Sequence, residues 1–251
     1  MEREEEDEIV CLDESFFIND NYQLTTFTFG SQVLHLFCLH SASTDYDLTG
    51  QLVWPGAILL NDYLSKNDEM LKGLSVIELG SGVGVTGVLC GRFCDKVVLT
   101  DHNDEILNKN IDLHASSEAS PCADLVAEKL EWGNADHINA IVQRHPQGFD
   151  LILGADIYIL LATFQQSSIP LLFRTAEQLL QIRGKGKCRF ILGYVSRATV
   201  FPTLMVSVSP CSMDAMVLSE AHRHGLSTKE VAGTRSVVGN LEGVIYEIAL
   251  Q

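Results

Sequence analysis

Along this chain, apolar residues fall into short continuous runs separated by stretches in which they recur every three or four positions. The runs predict strands at residues 75–80, 96–101, 125–132, 149–155 and 188–195. The periodic stretches predict helices near 84–93, 104–115, 134–143, 165–182 and 213–224. Strand and helix alternating at this spacing imply a parallel, doubly wound α/β sheet. Helical spacing also appears from Trp54 to Leu64, with Pro55 in the first turn, where its missing N–H costs nothing. The two ends break the alternation. Residues 23–29 and 32–38 are β-rich and flank Gly30 and Ser31, which predicts a hairpin ahead of the core. Residues 226–232 and 243–250 read as two strands with no helix between them, so they must be antiparallel. The expected organisation is an acidic disordered tail over residues 1–10, a β-hairpin extension over 11–50, and one α/β domain over 51–251. Its mostly parallel seven-stranded sheet closes with an antiparallel C-terminal hairpin.

Composition narrows the partners more than the fold. With 251 residues, 46% of them hydrophobic, the chain can bury a full core in one domain. Lys and Arg number 17 against 33 Asp and Glu, a net charge of −16, and the acidic run at residues 2–8 is only a minor part of it. That balance argues against a nucleic-acid partner, whose phosphates are gripped mainly by Lys and Arg. It favours basic or neutral substrates, although acidity also serves solubility alone. The first thirty residues hold no basic start followed by an apolar stretch, and no apolar run is long enough to span a bilayer. A soluble monomer in the cytoplasm, with the nucleus as a second compartment, is expected. Seven scattered cysteines without paired C-x-x-C spacing fit reduced thiols rather than a disulfide framework or a zinc site. Cys90 and Cys94 share a helix face as packing residues, and His222 and His224 read as a solvated helix end. No metal is expected.

The chemistry concentrates where the run Val76, Ile77, Glu78, Leu79 enters a turn containing Gly80, Gly82 and Gly84. A buried strand feeding a glycine turn and then a helix lets a ligand press against backbone. Glu78 bears on which ligand that is. A pyrophosphate on a helix N-terminus gains nothing from a nearby carboxylate, whereas a cofactor with an amine and a cationic sulfonium does. The residues therefore point to S-adenosyl-L-methionine, with S-adenosyl-L-homocysteine as product. The rival is a dinucleotide, since Gly82, Gly84 and Gly87 also fit G-x-G-x-x-G and Asp101 closes the next strand where a ribose-binding acid belongs. Asp101 supports a nucleoside without choosing between the two.

The motif series resembles the seven-stranded class I methyltransferases, and more narrowly the protein lysine methyltransferases of methyltransferase family 16, the methyltransferase-like 21 group. The likeness runs through Val53-Trp54-Pro55-Gly56, the glycine turn, Leu99-Thr100-Asp101, Asn110-Ile111, Leu130-Glu131-Trp132-Gly133 and the segment from Phe149 to Asp156. It implies cofactor-binding roles for Trp54, Glu78, Gly80, Gly82, Gly84, Asp101, Trp132 and Ala155. Glu78 would face the charged methionine end, Asp101 the ribose hydroxyls and Trp132 the base. Trp54 can instead anchor a helix to the sheet, and Trp132 can instead cap the core.

Asp156 ends the fourth strand of the alternating series, where the family pattern is an acid followed three residues later by an aromatic. Here Tyr158 stands at the second position and Ile159 at the third. In a continuing strand one residue turns a side chain to the opposite face. The resemblance implies that Asp156 orients an arriving lysine amine and that Tyr158 assists through cation–π attraction. The expected partner is a protein with an exposed lysine. The alternatives are methylation of a small amine, or an inactive cofactor-binding fold serving as an interaction module.

Overall fold

The computed structural model describes residues 22–39, 50–115, 123–157, 168–196, 213–238 and 241–251. In chain order the elements are β1 (Tyr22–Phe29), β2 (Gln32–Leu39), α1 (Pro55–Lys66), β3 (Ser75–Leu79), α2 (Val85–Cys90), β4 (Lys96–Asp101), α3 (Glu105–Ala115), β5 (Asp124–Lys129) and α4 (Ala135–Arg144). They continue with β6 (Leu151–Ala155), α5 (Ser168–Arg183), β7 (Arg189–Ser196), α6 (Met213–Arg223), β8 (Leu226–Glu230), β9 (Ser236–Val238) and β10 (Leu241–Leu250).

The main sheet runs β5-β4-β3-β6-β7-β10-β8. The first five strands are parallel, and β10 lies antiparallel between β7 and β8. These seven strands are the expected ones. An eighth, β9, pairs with the start of β10 and was not anticipated, because three residues are too few to show a pattern. Strand β5 stops at Lys129 rather than running to 132, since Trp132 and Gly133 form a turn with Gly133 at φ 78°. The helix after β3 ends at Cys90 and gives way to a turn at residues 91–93.

Helices cover both faces. Residues of α1, α2 and α3 join Leu34, Leu36 and Cys38 of the hairpin in one core cluster. Residues of α4, α5 and α6 form the other cluster, on the opposite side. Strand parity assigns the central side chains: Ile77 and Leu79 belong to the α4–α5 side and Val76 to the α1–α2 side, which puts Glu78 beneath α2. Because β4 and β6 flank β3 with their helices on opposite faces, the carboxyl ends of β3 and β6 mark the topological switch point, where open α/β sheets hold ligands.

The hairpin is part of this core. Its two-residue loop places Gly30 at φ 58°, and Asn110 of α3 fastens it inward. The Asn110 side chain accepts from Phe37 N–H at 2.8 Å and donates to Phe37 O at 3.1 Å and Val83 O at 2.9 Å. The described cysteines Cys38, Cys90, Cys94 and Cys188 are free and buried; Cys11, Cys122 and Cys211 lie outside the described residues. His224 is not a solvated helix end. It stacks on Phe173 and its Nδ1 sits 2.8 Å from Glu177, bridging α5 and α6. Among the described residues no helix is long and apolar enough to cross a membrane.

Candidate functional site

At the end of β3 the backbone turns through Gly80 at φ 65° and Gly82 at φ 54°, a region that residues with a Cβ enter only at a cost. Space is as tight as conformation. A Cβ on Gly80 would come within 2.8 Å of Ile157 Cγ2 and 3.0 Å of Trp132 Cζ2, and one on Gly82 within 2.3 Å of the Gly50 carbonyl oxygen. Hydrogen bonds fix the turn: Ser81 N–H donates to Thr100 O at 2.8 Å, and Gly84 N–H to Ser81 O at 2.8 Å.

Three carboxylates surround it, each held differently. Glu78 is 1% exposed, and its Oε2 accepts from Gly87 N–H of α2 at 2.9 Å. Burial pushes its carboxyl up to about 7, against the pull of the hydrogen bonds it accepts. Asp101 closes β4 and accepts from Gly82 N–H through Oδ2 at 2.8 Å. Its Oδ1 takes the His102 N–H at 2.8 Å and lies 2.7 Å from His102 Nδ1.

Asp156 ends β6 with φ 52°, the only positive φ outside glycine among the described residues. It is 1% exposed. Its Oδ2 accepts from Gly56 N–H at 2.8 Å and its Oδ1 from Val195 N–H at 3.3 Å, while its own N–H donates to Gly193 O at 2.7 Å. Helix α1 has no side-chain cap from its own N-cap residue, Trp54. Asp156 supplies a carboxylate there instead, where unpaired N–H groups and the helix dipole favour negative charge.

Of the expected site residues, Gly80 and Trp132 touch one another's space, and so do Gly82 and Asp101. Trp132 also packs against the α4–α5 core, and Ala155 packs against the α1–α2 side at the end of β6. Glu78 turns under the glycine turn. Trp54 is half-buried at the head of α1, two residues from the Gly56 N–H that Asp156 holds. Tyr158 lies outside the described residues. Sequence reasoning missed Gly50, Gln51, His102, Asn103 and Ile106, which with Gly82 and Asp101 line a cavity of about 10 Å³. It also missed Ile157 over Gly80. None of these carries a local signal except His102 and Asn103, whose polarity just past a strand-ending acid is one.

The family description that matches residues 39–203 is lysine methyltransferase. The chain belongs to this lysine methyltransferase family. Among curated relatives, protein-lysine N-methyltransferase EFM3 of Chaetomium thermophilum is 30% identical over 174 residues, covering 64% of this chain and 48% of that protein. EEF1A lysine methyltransferase 3 of Xenopus tropicalis is 35% identical over 131 residues, 51% of each. Protein N-lysine methyltransferase METTL21A of Mus musculus is 32% identical over 146 residues, covering 56% of this chain and 61% of that one. The chain thus spans about half the length of the curated family relatives it matches. Among solved structures, a magnesium protoporphyrin IX methyltransferase from Synechocystis PCC 6803 superposes with a TM-score of 0.51 at 10% identity, covering 84% of this chain and 90% of that one. That likeness places the family chain in the class I methyltransferase fold.

Proposed function

We propose that this chain transfers a methyl group from S-adenosyl-L-methionine to a lysine side chain of a protein. The observation that carries this reading is the pairing of a glycine turn too tight for any Cβ with the Asp101 carboxylate beside it, at the switch point of a sheet whose chain belongs to a lysine methyltransferase family.

The donor set fits the cofactor. The glycine turn carries no side chain of its own, with Ile157, Trp132 and the Gly50 carbonyl packed where its Cβ atoms would be, and Asp101 Oδ2 has accepted one of the two hydrogen bonds it can take. Asp101 would hold the ribose hydroxyls, Trp132 and Ala155 would flank the nucleoside, and Trp54 would pack the amino-acid portion. Glu78 contributes negative potential from beneath the turn. When bound, the cofactor supplies a methyl group activated by its sulfonium charge. The chain's task is to bring an uncharged amine into line and keep water out, so positioning and desolvation dominate. Asp156 presents the carboxylate that orients the arriving ammonium, and Tyr158 assists through its ring. An acidic body suits a basic protein face, and the chain acts as a monomer in the cytoplasm or nucleus.

Two relatives, EEF1A lysine methyltransferase 3 of Xenopus tropicalis and of Mus musculus, carry EEF1A (elongation factor 1A) in their name, which makes that protein the first substrate to try. Radiolabelled S-adenosyl-L-methionine is incubated with the purified chain, elongation factor 1A and separately whole-cell lysate. A labelled protein band whose mass spectrum assigns the methyl to lysine is the expected result. Label only in the small-molecule fraction would replace the reading with a small-amine methyltransferase, and no transfer despite cofactor binding would replace it with an interaction module.

A further inference from the structure

The outer strands of the main sheet, β5 and β8, carry charges at Asp124, Glu128, Lys129, Lys229 and Glu230, the usual means by which a sheet edge repels a further strand. Strand β1 has no such guard. Its eight residues include neither a charge nor a proline, and they pair rung for rung with β2 without a bulge. The loop fixes which way each backbone group points. A two-residue hairpin loop makes Phe29 and Gln32 a hydrogen-bonded pair, so alternation turns the N–H and C=O of Leu24, Thr26 and Thr28 away from β2. The same alternation turns those of Phe37 outward on the opposite edge, where Asn110 takes both, at 2.8 and 3.1 Å. Helix α3 thus closes one edge of the ribbon. Along the other, the outward groups of Leu24, Thr26 and Thr28 have no partner among the described residues. Phe27 and Phe29 anchor this edge on the α1–α2 core, stacked with ring centres 6.5 Å apart. On the ribbon's outer face Leu24 is 55% and Val33 48% exposed.

We infer that the free edge of β1 docks the protein that carries the target lysine, which adds an extended, uncharged segment to the hairpin as a third strand. This rests on the proposed function, which supplies that protein. A row of backbone donors and acceptors is matched only by another extended backbone, and the missing charges leave nothing for a helix or a basic loop to grip. Leu24 and Val33 favour apolar or β-branched side chains at the segment's outward positions. The edge also leads to the site. At its start the Tyr22 hydroxyl donates to Gln51, in the stretch that runs from Gly50, against Gly82, to Gly56, held by Asp156. A lysine beyond the Tyr22 end of the docked segment is therefore carried toward the carboxylate that orients it.

The test is steady-state methyl transfer from radiolabelled S-adenosylmethionine to whichever lysate protein the full chain labels, purified, with Thr26→Pro, Thr28→Pro and Thr26→Val measured beside the wild type. Each proline removes an outward N–H and leaves the ladder to β2 intact, whereas Thr26→Val removes only the hydroxyl 3.0 Å from His35 Nδ1. A lost hydrogen bond on a blocked edge predicts KM raised about tenfold in both proline variants, with kcat and S-adenosylhomocysteine affinity within about twofold of wild type and Thr26→Val unchanged. Proline variants with wild-type circular dichroism and wild-type KM overturn the docking edge and leave the methyltransferase reading standing. A Thr26→Val effect as large as that of Thr26→Pro does the same. If the prolines unfold the hairpin, amide hydrogen exchange on the wild-type chain decides: added substrate should slow exchange at Leu24, Thr26 and Thr28, and unchanged exchange there overturns the proposal. A wild-type chain that labels no protein removes the reading and the docking edge together.

Discussion

The two strand ends that meet at the switch point pass through the same left-handed backbone region by opposite means. Strand β3 leaves through Gly80 and Gly82, whereas β6 leaves through Asp156 at φ 52°. Glycine enters that region freely. An aspartate accepts strain of about 1 kcal/mol to be there. At the first end the requirement is room, because any Cβ would strike Ile157, Trp132 or Gly50. At the second it is a side chain in one position, with its oxygens on the Gly56 and Val195 N–H groups. A glycine at a strand end thus marks where something must approach the backbone, and a strained aspartate marks where a carboxylate must not move.

The contrast breaks most visibly at Asp156. Asp156→Ala keeps the unfavourable φ and strips the Gly56 and Val195 N–H groups of their acceptor in a buried setting. Turnover should fall at least about a thousandfold, as the loss of both the orienting carboxylate and its geometry predicts, while cofactor affinity stays within a few-fold. Chemical denaturation should register a loss of about 2–4 kcal/mol. Asp156→Gly loses the same hydrogen bonds but relieves the strain, so it should be about 1 kcal/mol more stable than the alanine variant. If alanine proves the more stable of the two, the strain at this position is not real.

At the β3 end the sensitive quantity is affinity. Gly80→Arg would drive a side chain into Ile157 and Trp132, and calorimetry with S-adenosylhomocysteine should find binding weakened by more than about a hundredfold. Normal binding by that variant would remove the glycine turn from the site altogether.

The two ends were not equally legible. Glycine spacing and an acid closing the next strand are local signals, and the fold joins Gly82 to Asp101 through a hydrogen bond. Asp156 was visible as a strand-ending acid, but its φ and its partners on α1 and β7, residues 56 and 195, are properties of the fold. The parity that puts Glu78 on the side of Val76 was in the sequence too, yet the expectation set Glu78 toward a ligand rather than under α2. Residues that reach the site through tertiary placement, Gly50, Gln51 and Ile157, left no trace in any periodicity. The central strands were readable because burial on both faces makes them continuous apolar runs. The same rule misread β5, where Leu130 and Trp132 are apolar but belong to the chain leaving the sheet.

Glu78 sharpens the comparison through pH. Burial raises its carboxyl from an ordinary 4.5 to about 7. Its protonated form therefore favours the folded state, an advantage fully present below pH 4.5 and lost as pH rises through about 7. A cationic cofactor above it favours the ionised form, so binding should strengthen over the same interval. Affinity for S-adenosylmethionine should rise about fivefold from pH 6 to pH 8 if the bound cation lowers the carboxyl by about one unit. Calorimetry across that range on Glu78→Gln should give a flat profile. A slope that survives the substitution would assign the titration to another group.

The smallest effect belongs to Thr100, whose hydroxyl donates to the Glu78 carbonyl at 2.6 Å and so ties the end of β4 to the end of β3. Thr100→Val keeps the shape of a fully buried side chain and removes that one donor. Nothing at this position is strained, and the backbone of the turn retains the Ser81 N–H bond to Thr100 O. Stability should drop by about 1 kcal/mol, with cofactor affinity unchanged within twofold. Measured beside Asp156→Ala, this single lost hydrogen bond to a backbone carbonyl calibrates how much of the larger loss comes from orphaned buried backbone groups. If Thr100→Val costs as much as Asp156→Ala, the β3 end is held as rigidly as the β6 end, and the difference drawn between them fails.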